Sequence, residues 1–118
     1  MNAKNQNKKM KIANAPQRAM ILAAGHGLRM RPITDKTPKP MIKVNGQPLL
    51  THALHRLEAV GVTDVVINTH YLADKIERHY NEYNGAALHF SHEENLLETG
   101  GGVKKALPML GDDPFFVV

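Results

Sequence analysis

The sequence predicts an α/β fold with a Rossmann-like, doubly wound and mainly parallel sheet, on the strength of three observations. Apolar runs without alternation stand at AMILAA (19–24), DVVIN (64–68) and FFVV (115–118), as strands buried on both faces require. Helical stripes separate the runs, and ALHFS (87–91) completes a β-α-β-α-β-α-β order. Alternation of this kind builds a parallel sheet through right-handed crossovers, with helices on both faces. The third observation is a cationic glycine loop directly behind the first run, at the strand end where open α/β sheets take their ligands.

Each element has its own signal. After AMILAA a long loop over residues 25–47 is rich in proline, lysine and arginine. Pro48 suits the first turn of a helix whose stripe is Leu50, Ala53, Leu54, Leu57 and Val60, stopped by Gly61. DVVIN is the second strand. Leu72, Ile76 and Tyr80 space a second helix, with Asn84-Gly85 as its exit turn. ALHFS is the third strand. A third helix is expected to start near Gly101 or Gly102 and to pack Val103, Ala106, Leu107 and Leu110 inward before Gly111. FFVV opens a fourth strand, where the sheet is expected to be truncated, with a poorly covered edge open to self-association.

Length and composition set bounds. A chain of 118 residues accommodates one small domain with a core. Without cysteine there are no disulfides and no thiolate metal sites. The apolar run at 19–24 is too short for a signal-peptide core, and nothing reaches membrane-spanning length, so a cytoplasmic protein without a membrane partner is expected. The net charge of +4 is unevenly spread: residues 1–20 carry +5 and the remaining 98 carry −1. Residues 1–17 therefore read as a basic, disordered leader and 18–118 as the domain, with no nucleic-acid partner expected.

The stretch LAAGHGLRMRP (22–32) looks like a phosphate loop, and two common kinds fit poorly. A Walker loop ends in Gly-Lys-Ser/Thr, which is absent. A dinucleotide fingerprint needs a third glycine and an acid closing the second strand, whereas that strand ends in Asn68-Thr69-His70. What remains is a loop whose glycines let backbone N–H groups approach a polyphosphate while Arg29 grips it through several donors. Ten residues on, Pro38 and Pro40 stiffen the backbone around Lys39, a fixed cation suited to charge on a phosphoryl group in transfer.

The pattern Leu-Ala-Ala-Gly-x-Gly-x-Arg-Met-x-Pro-x-Thr followed by Pro-Lys-Pro closely resembles the sugar-phosphate nucleotidyltransferases, or nucleoside-diphosphate-sugar pyrophosphorylases. VINTHYLADKIE and LETGGGVKKALPML match as well. The last stretch looks most like the N-acetylmuramate-1-phosphate uridylyltransferases of cell-wall recycling, and mannose-1-phosphate guanylyltransferase-like relatives share much of it. The resemblance runs from about Arg18 to Val118. It implies the nucleotide-diphospho-sugar transferase type of fold and the reaction of an NTP, UTP favoured, with a sugar-1-phosphate to give an NDP-sugar and pyrophosphate, with Mg²⁺.

The resemblance also implies roles. Arg29 would hold the triphosphate and leaving pyrophosphate, and Lys39 the phosphates at the reacting centre. Leu22, Ala23, Ala24, Gly25, His26 and Gly27 would line the nucleotide, with backbone contacts from Ala23, Ala24 and Gly25. Asn68 and the turn Glu98-Thr99-Gly100-Gly101 would line the base and ribose. Family members often have Thr or another polar residue where Leu28 stands. The family's Asn-Gly-Asp segment, whose aspartate holds Mg²⁺, would continue the fourth strand, so this chain is expected to be the N-terminal part of the domain and nearly inactive alone. A glucose-1-phosphate thymidylyl- or uridylyltransferase-like enzyme, or a noncatalytic module that binds nucleotide or a partner through its open edge, is the alternative.

Structural readings compete at several of these positions. Asn68 could cap the following helix, Gly100 to Gly102 could be a plain helix entry, and Glu98 a solvated acid. His89 and His92, with Glu93 and Glu94 next, invite a metal site. Three residues apart on a strand, however, the two imidazoles fall on opposite faces, so no metal ligand is assigned in this chain. His52, His55 and His79 read as helix surface or boundary residues, and His26 as a contact residue.

Overall fold

In the computed structural model, residues 15–118 are described. The leader expected over residues 1–17 therefore lies outside the described residues except for its last three. Strand β1 (Arg18–Leu22) is central, and β4 (Asp64–Thr69) and β5 (Ala87–His92) extend the sheet on one side. On the other side lies β6 (Phe116–Val117), giving the order β5-β4-β1-β6 with every neighbouring pair parallel.

The alternation of side chains along β1 and β4 divides the core in two. Ile21, Val65 and Ile67 face α1 (Leu49–Ala59) and α2 (Ala73–His79), meeting Leu50, Leu54, Leu57, Ile76 and Tyr80. Met20 and Val66 face the opposite side and meet Ala106 and Leu110 of α3 (Thr99–Leu110). Burying each such Leu, Ile or Met side chain contributes roughly 1.5–3 kcal/mol. The sheet is thus wound on both faces, as the sequence predicts.

Helix α1 ends as its glycine predicts. Gly61 sits at φ +98°, its N–H bonding the Glu58 carbonyl at 3.0 Å, while the Val62 N–H reaches Leu57 at 3.1 Å. That pair of bonds is a Schellman cap, and Leu57 and Val62 both enter the core behind it.

Several expectations need correction. β1 stops at Leu22 because the Ala23 N–H leaves the ladder for the Asn68 side chain. β4 and β5 each run one residue past the expected end, to Thr69 and His92. Helix α2 is shorter than its stripe, since Leu72 caps it at φ +52° and Tyr80 closes it. Helix α3 begins at Thr99, so Gly100 and Gly101 lie inside its first turn, and Leu107 is 43% exposed rather than inward. The last strand is an edge with half-exposed ends, Val117 at 48% and Val118 at 56%, not a buried strand.

The long loop is also more ordered than expected. Three short 3₁₀ turns (Leu28–Met30, Ile33–Asp35 and Lys39–Met41) lead into the antiparallel hairpin β2 (Lys43–Val44) and β3 (Gln47–Pro48). Asn45 at φ +52° and Gly46 at φ +78° make its two-residue turn, the primed geometry that matches strand twist. His52 holds the hairpin against α1 through a 2.6 Å hydrogen bond with the Val44 carbonyl.

Candidate functional site

A cleft lies at the C-terminal end of β1, beside the point where chain order reverses between β4 and β6. It consists of two hollows. One, of about 500 Å³, is lined by Leu22, Ala23, Gly25, Gly27, Arg29 and Lys39 among others. The second, of about 440 Å³, is lined by Leu22, Ala24, Gly25, Asn68, Leu97, Glu98 and Thr99. Leu22 and Gly25 belong to both, so the hollows adjoin over the end of β1.

Local structure explains the first hollow. Gly27 sits at φ +64°, the left-handed region that favours glycine, and turns the chain back into the Leu28–Met30 turn. Thr34, 1% exposed, donates its hydroxyl to the Gly27 carbonyl at 2.6 Å. The Tyr71 hydroxyl donates to the Thr34 carbonyl at 2.7 Å, and Lys75 donates to the Lys36 carbonyl. The stretch after β4 thus braces the cationic loop from outside. Lys39 opens a 3₁₀ turn behind the fully buried Pro38, while Met41 packs on the core. Arg29 and Lys39 are both exposed, and neither enters an ion pair among the described residues.

In the second hollow, Asn68 accepts the Ala23 N–H on Oδ1 at 2.6 Å and donates from Nδ2 to Glu93 Oε2 at 3.0 Å. It does not cap α2, whose N-cap is Leu72, so that reading is set aside. The Ala23 N–H, being engaged, leaves this residue only its carbonyl and methyl for a ligand. Helix α3 points its first turn at the hollow. The first intrahelical bond is Gly102 N–H to the Glu98 carbonyl at 2.8 Å, so the N–H groups of Thr99, Gly100 and Gly101 precede the ladder. Such a terminus favours negative charge.

Not every expected residue reaches the hollows. His26 is half-buried and packs edge-on to His70 at 5.3 Å and against Tyr71 at 5.0 Å, lining neither hollow. Gly100 and Gly101 are exposed on α3 beside the second hollow rather than in its wall. His89 and His92 lie on opposite faces of β5; the first stands 3.2 Å from Asp64, whose carboxyl the Thr63 hydroxyl and His89 hold below the usual range. Among the described residues, no three or more His, Asp or Glu side chains come together as a metal cluster.

Sequence reasoning missed Thr34 and Glu93. Thr34 stands in the motif, and its bracing role depends on a fold-back onto the Gly27 carbonyl that spacing does not display. Glu93, 1% exposed, continues the period-2 alternation of β5 beyond Ser91, which is buried on the same face. That continuation was the available signal.

Residues 18–118 match the family described as nucleotidyl transferase. The N-acetylmuramate alpha-1-phosphate uridylyltransferase of Caulobacter vibrioides is 47% identical over 111 residues, covering 90% of this chain and 46% of the relative. The mannose-1-phosphate guanyltransferase of Gibberella zeae is 37% identical over 106 residues, covering 86% and 29%. The solved structure of HddC from Yersinia pseudotuberculosis complexed with GMP-PN superposes at a TM-score of 0.77 with 31% identity, covering 86% of this chain and 46% of that one. The chain spans about half the length of the uridylyltransferase it matches. Among the described residues no helix is long and apolar enough to cross a membrane. With the match running from β1 to β6, this chain belongs to the nucleotidyl transferase family.

Proposed function

We propose that the chain forms the nucleotide-binding part of a cytoplasmic uridylyltransferase acting on a sugar-1-phosphate, with N-acetylmuramate-1-phosphate as the favoured acceptor. A phosphate oxygen of the sugar phosphate bonds to the α-phosphorus of UTP as the bond to the β-phosphate oxygen breaks. Pyrophosphate leaves with that electron pair, and UDP-sugar forms. Chemistry of this kind needs positioning and charge neutralisation rather than a protein nucleophile. The observation that carries the reading is the placing of Arg29 and Lys39, two cations without ion-pair partners among the described residues, in one hollow with Gly25 and Gly27.

In this reading Arg29 grips the β- and γ-phosphates and Lys39 faces the reacting phosphate, while Asn68, Glu98 and Thr99 border the base and ribose. The nucleotide brings Mg²⁺ with it. Residues 15–118 alone are expected to turn over substrate slowly or not at all. Self-association through the open edge of β6 belongs to the same proposal. Sedimentation showing a monomer at every concentration would remove it.

Titration of the chain with UTP, GTP, CTP and ATP, followed by backbone amide shifts, tests the assignment. The amides of Gly25, Gly27, Arg29, Thr99 and Gly100 are expected to respond at the lowest concentration with UTP. An equal response to all four, or to none, overturns the base assignment.

A further inference from the structure

Glu93 is the one charged side chain among the buried described residues, at 1% exposure, and it takes no part in an ion pair there. A carboxylate taken from water without a cation is expensive unless hydrogen bonds satisfy it. Here each oxygen accepts one. Oε1 takes the Leu97 N–H at 3.0 Å, and Oε2 takes Asn68 Nδ2 at 3.0 Å.

The relay continues beyond Asn68. Its Oδ1 accepts the Ala23 N–H at 2.6 Å, and because a backbone N–H only donates, the Asn68 amide has a single orientation. The Glu93 carbonyl in turn accepts Nδ1–H of His70 at 2.7 Å. Three segments bordering the second hollow, the ends of β1 and β4 and the turn before α3, thus hang on one carboxylate.

A carboxylate suits this place because it only accepts, and both of its neighbours donate. A carboxamide would turn its own N–H₂ toward one of them. Gly102 closes the arrangement from α3: a Cβ there would stand 3.0 Å from both Asn68 Nδ2 and Glu93 Oε2. The close approach explains a third glycine in a helical turn, where glycine is otherwise unfavourable.

We propose that Glu93 is a positioning residue: without touching ligand, it shapes the base and ribose side of the cleft by fixing Asn68, Ala23 and the Leu97 turn before a nucleotide arrives. The inference deepens the nucleotide-site reading and rests on it. In the 118-residue chain, E93Q is expected to shift the Ala23 and Leu97 amide resonances in the ligand-free state. It is also expected to weaken UTP binding about tenfold, if the binding-competent arrangement falls to about a tenth of the molecules once the carboxylate no longer fixes it.

E93D keeps a carboxylate at this position, one methylene shorter, and still offers only acceptors to the Asn68 and Leu97 donors. It is expected to weaken UTP binding less than E93Q does. An E93D as weak as E93Q, or an E93Q with parental amide shifts and affinity, overturns the proposal.

Should E93Q not fold, G102A decides. It keeps the carboxylate, and helix propensity favours alanine. Weakened UTP binding at an undiminished thermal midpoint supports the proposal, and unchanged binding overturns it. Failure of the parent chain to bind UTP sinks the nucleotide reading instead, leaving the ligand-free amide shifts to decide the role of Glu93.

Discussion

Arg29→Ala is expected to weaken binding of UTP about 10- to 100-fold, the equivalent of roughly 1.5–3 kcal/mol for hydrogen bonds to a charged group. Thermal stability should scarcely change, because exposed side chains without buried contacts usually contribute within about 0.5 kcal/mol. Arg29 is such a side chain: exposed, in a 3₁₀ turn, and outside any ion pair among the described residues. Arg29→Lys keeps the charge but loses the planar fork, so an intermediate affinity is expected. Lys39→Ala should weaken binding as well, and both losses should shrink as salt rises. Calorimetric titration of the three variants decides the matter. Parental affinity in Arg29→Ala removes the triphosphate from this hollow.

Gly27→Ala is expected to destabilise the fold by about 2–5 kcal/mol, from two separable sources. Left-handed backbone costs an L-residue roughly 1–2 kcal/mol, and forcing a methyl into a packed site costs roughly 1–3 kcal/mol. The crowding is specific: a Cβ at Gly27 would lie 2.7 Å from Thr34 Cγ2. Thr34→Ser removes that methyl while keeping the hydroxyl that bonds the Gly27 carbonyl. In a double-mutant cycle by urea denaturation, Gly27→Ala with Thr34→Ser should therefore recover the crowding part and retain the backbone part. Strict additivity of the two substitutions contradicts the described contact.

The elements legible in the sequence are those whose burial leaves a periodic trace. DVVIN reads as a strand because Val65, Val66 and Ile67 are all covered, from both faces. Gly61 ends α1 because a positive φ is needed there. The start of α3 was less legible, since its glycines argue against helix, and what places Gly102 there is its approach to Asn68 and Glu93, residues distant in the chain. Asn45-Gly46 is a strong short hairpin signal, but its two-residue strands leave no alternation to read.

The site divides in the same way. Arg29 and Lys39 announce themselves, as cations spaced among glycines and prolines on contiguous sequence. The Asn68–Glu93 pair does not, because a hydrogen bond across 25 residues depends on strand register, and parallel register is set by the crossover helix rather than by local composition. Asn68 was placed at the site without the bonds that define its orientation.

The meeting of two hollows over Leu22 and Gly25 has a consequence for how such a scaffold diversifies. The anion grip is written in residues 22–40 and the other wall in residues 68 and 96–99, so the two share little besides the tip of one strand. In the proposed reading, substitutions around Leu96 and Leu97 would retune which heterocycle is admitted while leaving the electrostatic clamp intact. Division of labour of this kind would let one ancestral frame acquire new substrates without relearning how to seize a triphosphate.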